Sequence, residues 1–188
     1  MKRMIPAVVI AAIGSMAMMS MSAHAADGTI TITGAVSDTT CSINGAATGT
    51  PANIAVTLPT VPAGALASAG AIAGTSNLGD IQLVLSGCSG AATKAAAHFE
   101  NGSTVDQSSG YLQNQSSNAP AKNIEVRLLN ATMQPISILS GTNNDINANG
   151  AAIVGGNGVL NYFAQYFATG KAEAGSVATS VQYTMQYQ

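Results

Sequence analysis

Hydrophobic and polar residues alternate with a period of two in the last thirteen residues, "SVATSVQYTMQYQ" (176–188). One side of a strand here would carry Val177, Thr179, Val181, Tyr183, Met185 and Tyr187. The other side would carry only small and polar residues. This alternation of β-branched and aromatic types predicts a half-buried strand. Because chain ends usually fray, such a strand needs a partner that holds it.

Six further segments have the pattern or composition of strands. They are "GTITITGAV" (28–36), "NIAVTL" (53–58), "GDIQLVLSGC" (79–88), "KAAAHFE" (94–100), "KNIEVRLLN" (122–130) and "GVLNYFAQYFATG" (158–170). The alanine run of 94–100 is also compatible with the start of a helix. Turn-forming stretches separate the segments, and 63–74 is predicted to be a loop with one helical turn. No later segment keeps a 3.6-residue period, so the pattern predicts an antiparallel β-sandwich.

The first 25 residues have the three parts of a secretory signal peptide. A basic "MKRM" precedes an apolar run, and "AHA" (23–25) matches an A-x-A cleavage site. Removing 25 of the 188 residues would leave 163 that begin at Ala26, the length of one domain. A transmembrane anchor is the alternative interpretation, but Pro6, Gly14 and several serines weaken it.

Charged residues make up only 7% of the chain. Once Lys2 and Arg3 leave with the signal peptide, eight acidic residues face four basic ones, a formal charge of −4. The four basic residues are scattered, so they form no basic patch and we expect no nucleic-acid partner. Low net charge together with recurrent hydrophobic alternation argues against a disordered chain.

Cys41 and Cys88 are the only cysteines. An exported chain meets an oxidising compartment, so one disulfide between them is the economical interpretation. Closing a loop of about 48 residues would contribute about 4 kcal/mol in the chain-entropy model. The alternative, a redox or metal pair, lacks support because His98 has no ligand-like spacing to either cysteine.

No catalytic frame stands out in the sequence. The motifs G-x-S-x-G and H-E-x-x-H and a phosphate-binding glycine loop are absent from it. Asp145 in "NNDINANG" invites a calcium-loop interpretation, but the bidentate glutamate is missing and a polar loop is favoured. We therefore expect a protein that is not an enzyme and that has no cofactor and no metal site.

Five stretches occur in an order that one family shares. They are "GTITITGAVSDTTC", "IQLVLSGC", "NIEVRLLN", and "YFAQYFATG" followed by the final "QYTMQYQ". Over residues 28–188 the chain resembles the major pilus subunits of the chaperone–usher pathway, the type 1 fimbrial pilin family. The resemblance implies an all-β fold, an incomplete immunoglobulin-like β-sandwich that lacks its seventh strand. It also implies a signal peptide at 1–25, an N-terminal donor-strand arm at 26–36 and a pilin domain at 37–188.

The resemblance further implies that another polypeptide supplies the missing strand. The donor strand of one subunit would present Ala26, Gly28, Ile30 and Ile32. The acceptor groove and the chaperone-recognition site would consist of Val181, Tyr183, Met185, Tyr187 and Gln188. The implied partners are identical or related pilin subunits, a periplasmic chaperone and an outer-membrane usher. The implied product is a surface fimbria that supports adhesion, with subunits exported through the periplasm.

Some alternatives stay open at the level of sequence. The stretch "TITIT" also fits an ordinary first strand paired within its own subunit, although its place after the cleavage site favours a mobile arm. Only Ala26 and Asp27 precede Gly28, so the arm is short for this family. The chain also fits a minor or tip-adaptor pilin or, in another class, a self-contained secreted β-sandwich that binds a ligand.

Overall fold

The protein is described by a computed structural model that covers residues 30–34, 36 and 38–188. Two units are distinguished, one ending at Ala35 and the other comprising Val36–Gln188. Residues 30–34 belong to no helix or strand, and Ile30 and Ile32 are 90% and 88% exposed. The predicted signal peptide and the donor-strand residues Ala26 and Gly28 lie outside the described residues.

The regular structure of the second unit is almost entirely β. Its strands are β1 (Ser42–Ile43), β2 (Ile72–Ala73), β3 (Ile81–Ser86), β4 (Lys94–Phe99), β5 (Leu112–Gln113), β6 (Lys122–Leu129), β7 (Pro135–Ile136), β8 (Ala151–Ala152), β9 (Gly158–Glu173) and β10 (Tyr183–Tyr187). A 3-10 turn at Ala63–Leu66 and the helix α1 (Ile146–Asn149) are the helical elements of the described residues. The predictions of an all-β fold and of one helical turn within 63–74 are confirmed.

The strands form two antiparallel sheets. The larger follows the order β1-β3-β9-β6-β5, and β2 and β7 add to it by pairing with β9 and β6. The smaller sheet has the order β10-β4-β8. The 16-residue β9 lies in the middle of the larger sheet, where it pairs with β3, β6 and β2. Its aromatic and β-branched residues favour a strand.

The core lies between the two sheets. The larger sheet contributes Leu83, Leu85, Val126, Leu128, Leu160 and Tyr162, and the smaller contributes Ala95, Ala97 and Phe99. Segment 94–100 forms a strand although alanine favours helices, because β4 is paired on both sides and its alanines are completely buried. Tertiary pairing therefore overrides local propensity here.

The predicted disulfide joins Cys41 to Cys88, with 4.1 Å between the Cα atoms. It fixes the start of β1 against the end of β3, where Ser42 is paired with Ser86. Asn44, just after β1, then extends the ladder: its N–H donates to the carbonyl of Val84 at 2.8 Å. Its side chain accepts from the N–H of Val84 at 2.7 Å and donates to the carbonyl of Gln82 at 3.0 Å.

Within residues 38–188, two strand predictions were wrong. Residues 53–58 belong to no strand, and β10 covers only residues 183–187 of the predicted alternation over 177–187. A strand is defined by its hydrogen-bonded neighbour, and sequence alternation alone does not supply one. Within the part of the chain that is described, no helix is both long enough and apolar enough to cross a bilayer.

We predict that the double variant Cys41→Ser, Cys88→Ser loses about 4 kcal/mol of unfolding free energy, because the open chain regains loop entropy on unfolding. Guanidinium unfolding of the oxidised protein measures this. Reduction of the wild type should reproduce the loss, and the double variant should not respond to reductant. Equal midpoints for oxidised wild type and double variant would show that the disulfide is dispensable.

Candidate functional site: an apolar groove beside β10

An apolar groove with a volume of about 1090 Å³ runs beside β10. One wall consists of residues 179–185 and Tyr187, and the other includes residues 48–56. Its floor is the inner face of the larger sheet, formed by Ile81, Leu83, Val126, Leu128, Tyr162 and Ala164. The groove therefore exposes part of the hydrophobic core.

The edge of β10 that faces the groove is unpaired. On its other edge, the N–H of Glu100 donates to the carbonyl of Gln182, and Gln188 and Lys94 exchange two backbone hydrogen bonds. In an antiparallel ladder the backbone groups point alternately to the two sides. The N–H and C=O groups of Tyr183, Met185 and Tyr187 therefore point away from β4, and no described strand pairs with them.

Along the opposite wall, the described backbone likewise forms no strand-to-strand hydrogen bonds. Residues 53–61 make no backbone–backbone hydrogen bond within the described ranges. Ile54 and Leu58 nevertheless pack against the core, so this segment covers the sandwich without joining a sheet. Pro51 lies just before this segment and Pro59 lies within it, and proline is common at a sheet edge. Two unpaired backbone edges flanking an apolar floor can accept one additional strand.

Hydrophobic side chains of the β10 wall point into the core. Val181, Tyr183, Met185 and Tyr187 are all half-buried against it and line the groove, so the structure brings these four predicted acceptor residues together. Burial raises the pKa of the Tyr183 and Tyr187 hydroxyls, and their mutual repulsion adds to the effect at Tyr187. Both phenols are therefore neutral at physiological pH.

The two tyrosine hydroxyls differ in their contacts. The Tyr183 side chain links the two walls: its hydroxyl donates to the carbonyl oxygen of Ala52 at 2.7 Å. The Tyr187 hydroxyl has no hydrogen-bond partner among the described residues. Sequence reasoning missed Ala52, because a backbone carbonyl carries no signal in the sequence.

Gln188, the fifth predicted acceptor residue, lies outside the groove. Its carbonyl oxygen accepts from the N–H groups of Thr93 and Lys94 at 2.6 and 2.8 Å. Its side-chain amide donates to the Asn147 side chain at 2.8 Å. These contacts attach the end of β10 to β4 and α1.

The described residues include no group of three His, Cys, Asp or Glu side chains that could hold a metal ion. Asp145, the residue with a calcium-loop resemblance, caps α1 instead. Its Oδ1 accepts from the backbone N–H groups of Asn147 and Ala148 at 2.9 and 3.1 Å. This is the usual role of an aspartate at a helix N-cap.

The family model of the type-1 fimbrial protein, A (FimA) matches residues 58–188. The chain belongs to this family. It is 41% identical to the major fimbrial subunit SMF-1 of Stenotrophomonas maltophilia (strain K279a), over 89% of this chain and 96% of that protein. It is 39% identical to the F17 fimbrial protein of Escherichia coli, over 94% of this chain and 96% of that protein.

Solved structures agree with the fold. The type I fimbria protein BPSL1626 of Burkholderia pseudomallei aligns with a TM-score of 0.53 and 28% identity, over 78% of this chain and 88% of the other. A chaperone–usher pilus subunit, from a structure reported to reveal the basis of rod uncoiling, aligns with a TM-score of 0.54 and 18% identity, over 87% and 96% of the two chains. At that identity the second match supports the fold alone.

The family resemblance predicted from the sequence is therefore confirmed, and with it the pilin-type β-sandwich. The protein is a structural subunit of a surface fimbria, and its partners are related pilin subunits. Membership of a structural family points to a protein without enzymatic activity.

A buried hydrogen bond joins the two sheets at Tyr162, a residue of the groove floor. The Tyr162 hydroxyl, on β9, accepts from the backbone N–H of Ala97 on β4 at 2.9 Å, and its ring packs edge-on against Phe99 with 5.1 Å between centroids. Burial raises the pKa of this hydroxyl, so it is neutral at physiological pH. It ties β4, the strand next to β10, to the larger sheet.

We predict that Tyr162→Phe lowers the unfolding free energy by about 1–3 kcal/mol, because it leaves the buried Ala97 N–H without a partner. Guanidinium unfolding measures the change. Tyr111→Phe is the matched control: its ring makes a similar edge-on contact with Phe167, but its hydroxyl has no described hydrogen bond. Equal losses in both variants would contradict the importance of the inter-sheet bond.

Proposed function

We propose that this pilin polymerises by donor-strand exchange. The N-terminal arm of one subunit would enter the groove of the next, between β10 and residues 53–58. The observation that carries the proposal is the pair of unpaired backbone edges on either side of an apolar floor. An added strand would form ladder hydrogen bonds with the walls and bury its side chains in the floor.

The sequence of the arm suits this role. Gly28, Ile30 and Ile32 share one face of an extended arm, and threonines occupy the other face. Ile30 and Ile32 are almost fully exposed, so both have apolar surface left to bury. Burying each would contribute roughly 2–3 kcal/mol before ordering costs. Ala26 would take the outermost position, and Gly28 suits a place too shallow for a side chain.

Such a contact would join two different surfaces of identical subunits. A heterologous contact whose rotation does not close produces an open helical filament. Growth would therefore need no further type of contact along the fibre, and each added subunit would present a new empty groove or a new arm. This geometry supports a fimbrial rod.

The same groove requires protection before assembly. We propose that a periplasmic chaperone fills it with a strand of its own and contacts Gln188, and that an outer-membrane usher receives the complex. The proposed route begins with a signal peptide at 1–25, cut after Ala25. Residues 26–36 would then act as the arm and 37–188 as the pilin domain.

We predict that Ile30→Asp stops fibre growth and leaves export and chaperone binding intact, because it places a charge on the inserting face. The matched control is Thr31→Asp, which puts the same charge on the opposite face and should leave fibres present. Negative-stain electron microscopy of cells that produce each variant measures fibre number. Abundant fibres from Ile30→Asp would remove the arm from its proposed role.

A further inference from the structure

One hydrogen bond spans the empty groove from wall to wall. It runs from the Tyr183 hydroxyl on β10 to the carbonyl oxygen of Ala52, at 2.7 Å. No backbone–backbone hydrogen bond joins β10 to residues 48–61 within the described residues. Tyr183 therefore supplies a direct polar link between the walls that the backbone does not provide.

The wall that contains Ala52 has little else to fix its distance from β10. Its backbone makes no ladder, and it is attached to the core through side chains such as Ile54 and Leu58. An apolar floor open to water favours closure of the walls over it, because closure buries apolar surface. A groove that has closed leaves no room for another strand.

We propose that Tyr183 is a positioning residue that keeps the empty groove open at the width of one strand. Two strands on either side of a vacant position are about 9–10 Å apart, twice the inter-strand spacing. An extended tyrosine side chain with one hydrogen bond crosses such a gap. The ring is half-buried against the core, which limits its freedom, and the hydroxyl is neutral and able to donate.

This inference rests on the proposed function, because an open groove matters only if a strand enters it. The bond would act mainly on the empty subunit. Strand entry breaks the bond, because the strand takes the place that the side chain crosses; the strand's own ladder then holds the walls apart and can also satisfy the Ala52 carbonyl. Loss of the bond should therefore reduce the fraction of subunits competent to bind, and so the association rate, more than it changes dissociation.

The experiment uses the dilute, disulfide-intact mature chain carrying Ile30→Asp, so that its own arm does not compete, and a fluorescent peptide with the sequence of residues 26–33. We expect Tyr183→Phe to slow peptide association by about 2- to 10-fold, the range for one hydrogen bond. Dissociation should stay within about twofold of the parent. Tyr187→Phe, the matched control, removes a hydroxyl without a described partner and should change neither rate. Incorporation of 4-aminophenylalanine at position 183 restores a donor and should restore association.

A second measurement gives the width of the groove in the absence of peptide. Nitroxide labels on Asn53→Cys, in the wall that contains Ala52, and on Gln186→Cys, on the outward face of β10, give the distance distribution between that wall and β10; both positions are exposed. We expect Tyr183→Phe to broaden or shorten this distribution relative to Tyr187→Phe.

The two measurements separate two kinds of failure. If the parent protein takes up no peptide, the proposed function fails, and the label distances still decide the role of Tyr183. If the peptide binds but Tyr183→Phe matches Tyr187→Phe in association rate and in label distances, the role of Tyr183 is overturned. A faster dissociation with unchanged association would also overturn it, because Tyr183 would then contact the bound strand.

Discussion

The protein depends on how unpaired backbone groups are satisfied at the edge of β10. A buried N–H or C=O without a partner costs free energy comparable to a lost hydrogen bond. Within the described residues, β10 pairs only with β4, and residues 53–61 make no backbone–backbone hydrogen bond. Water can hydrate these backbone groups in the open groove, but it also covers the apolar floor between them, which is unfavourable. The groove thus combines exposed apolar surface with unpaired backbone edges, and the proposed inserted strand would cover both.

Outside the groove, the two sheets are well packed and joined. Completely buried alanines of β4 allow the two sheets to approach closely, and Tyr162 links them through its hydroxyl. The disulfide holds β1 to β3 at one end of the larger sheet. The rigidity of these elements matters for the groove, since a floor and a wall that kept their shape would lose less entropy when a strand enters.

The pattern of the sequence predicted much of this arrangement. Alternation located β3, β6 and β10, aromatic composition located β9, and the two cysteines indicated their disulfide. The groove itself was predicted only through the family resemblance, because a vacancy leaves no residues to read. The identity of its second wall was not predictable: residues 53–58 alternate like a strand, yet no strand of the described residues is hydrogen-bonded to them. The hydrogen bond to Ala52 was equally invisible, since it ends on a backbone atom that every residue possesses.

Asn44 adds a consequence for the form of the assembly. Its side chain occupies the ladder positions of Val84 and Gln82 on the β1 side of β3, where the short β1 has already ended. An uncovered stretch at that place would be a second template for strand addition. Because the Asn44 side chain already bonds to these backbone groups, they are not free to pair with a strand of another molecule. Under the proposed donor-strand exchange, strand addition would then be directed to the groove, which favours an unbranched thread over a cross-linked aggregate.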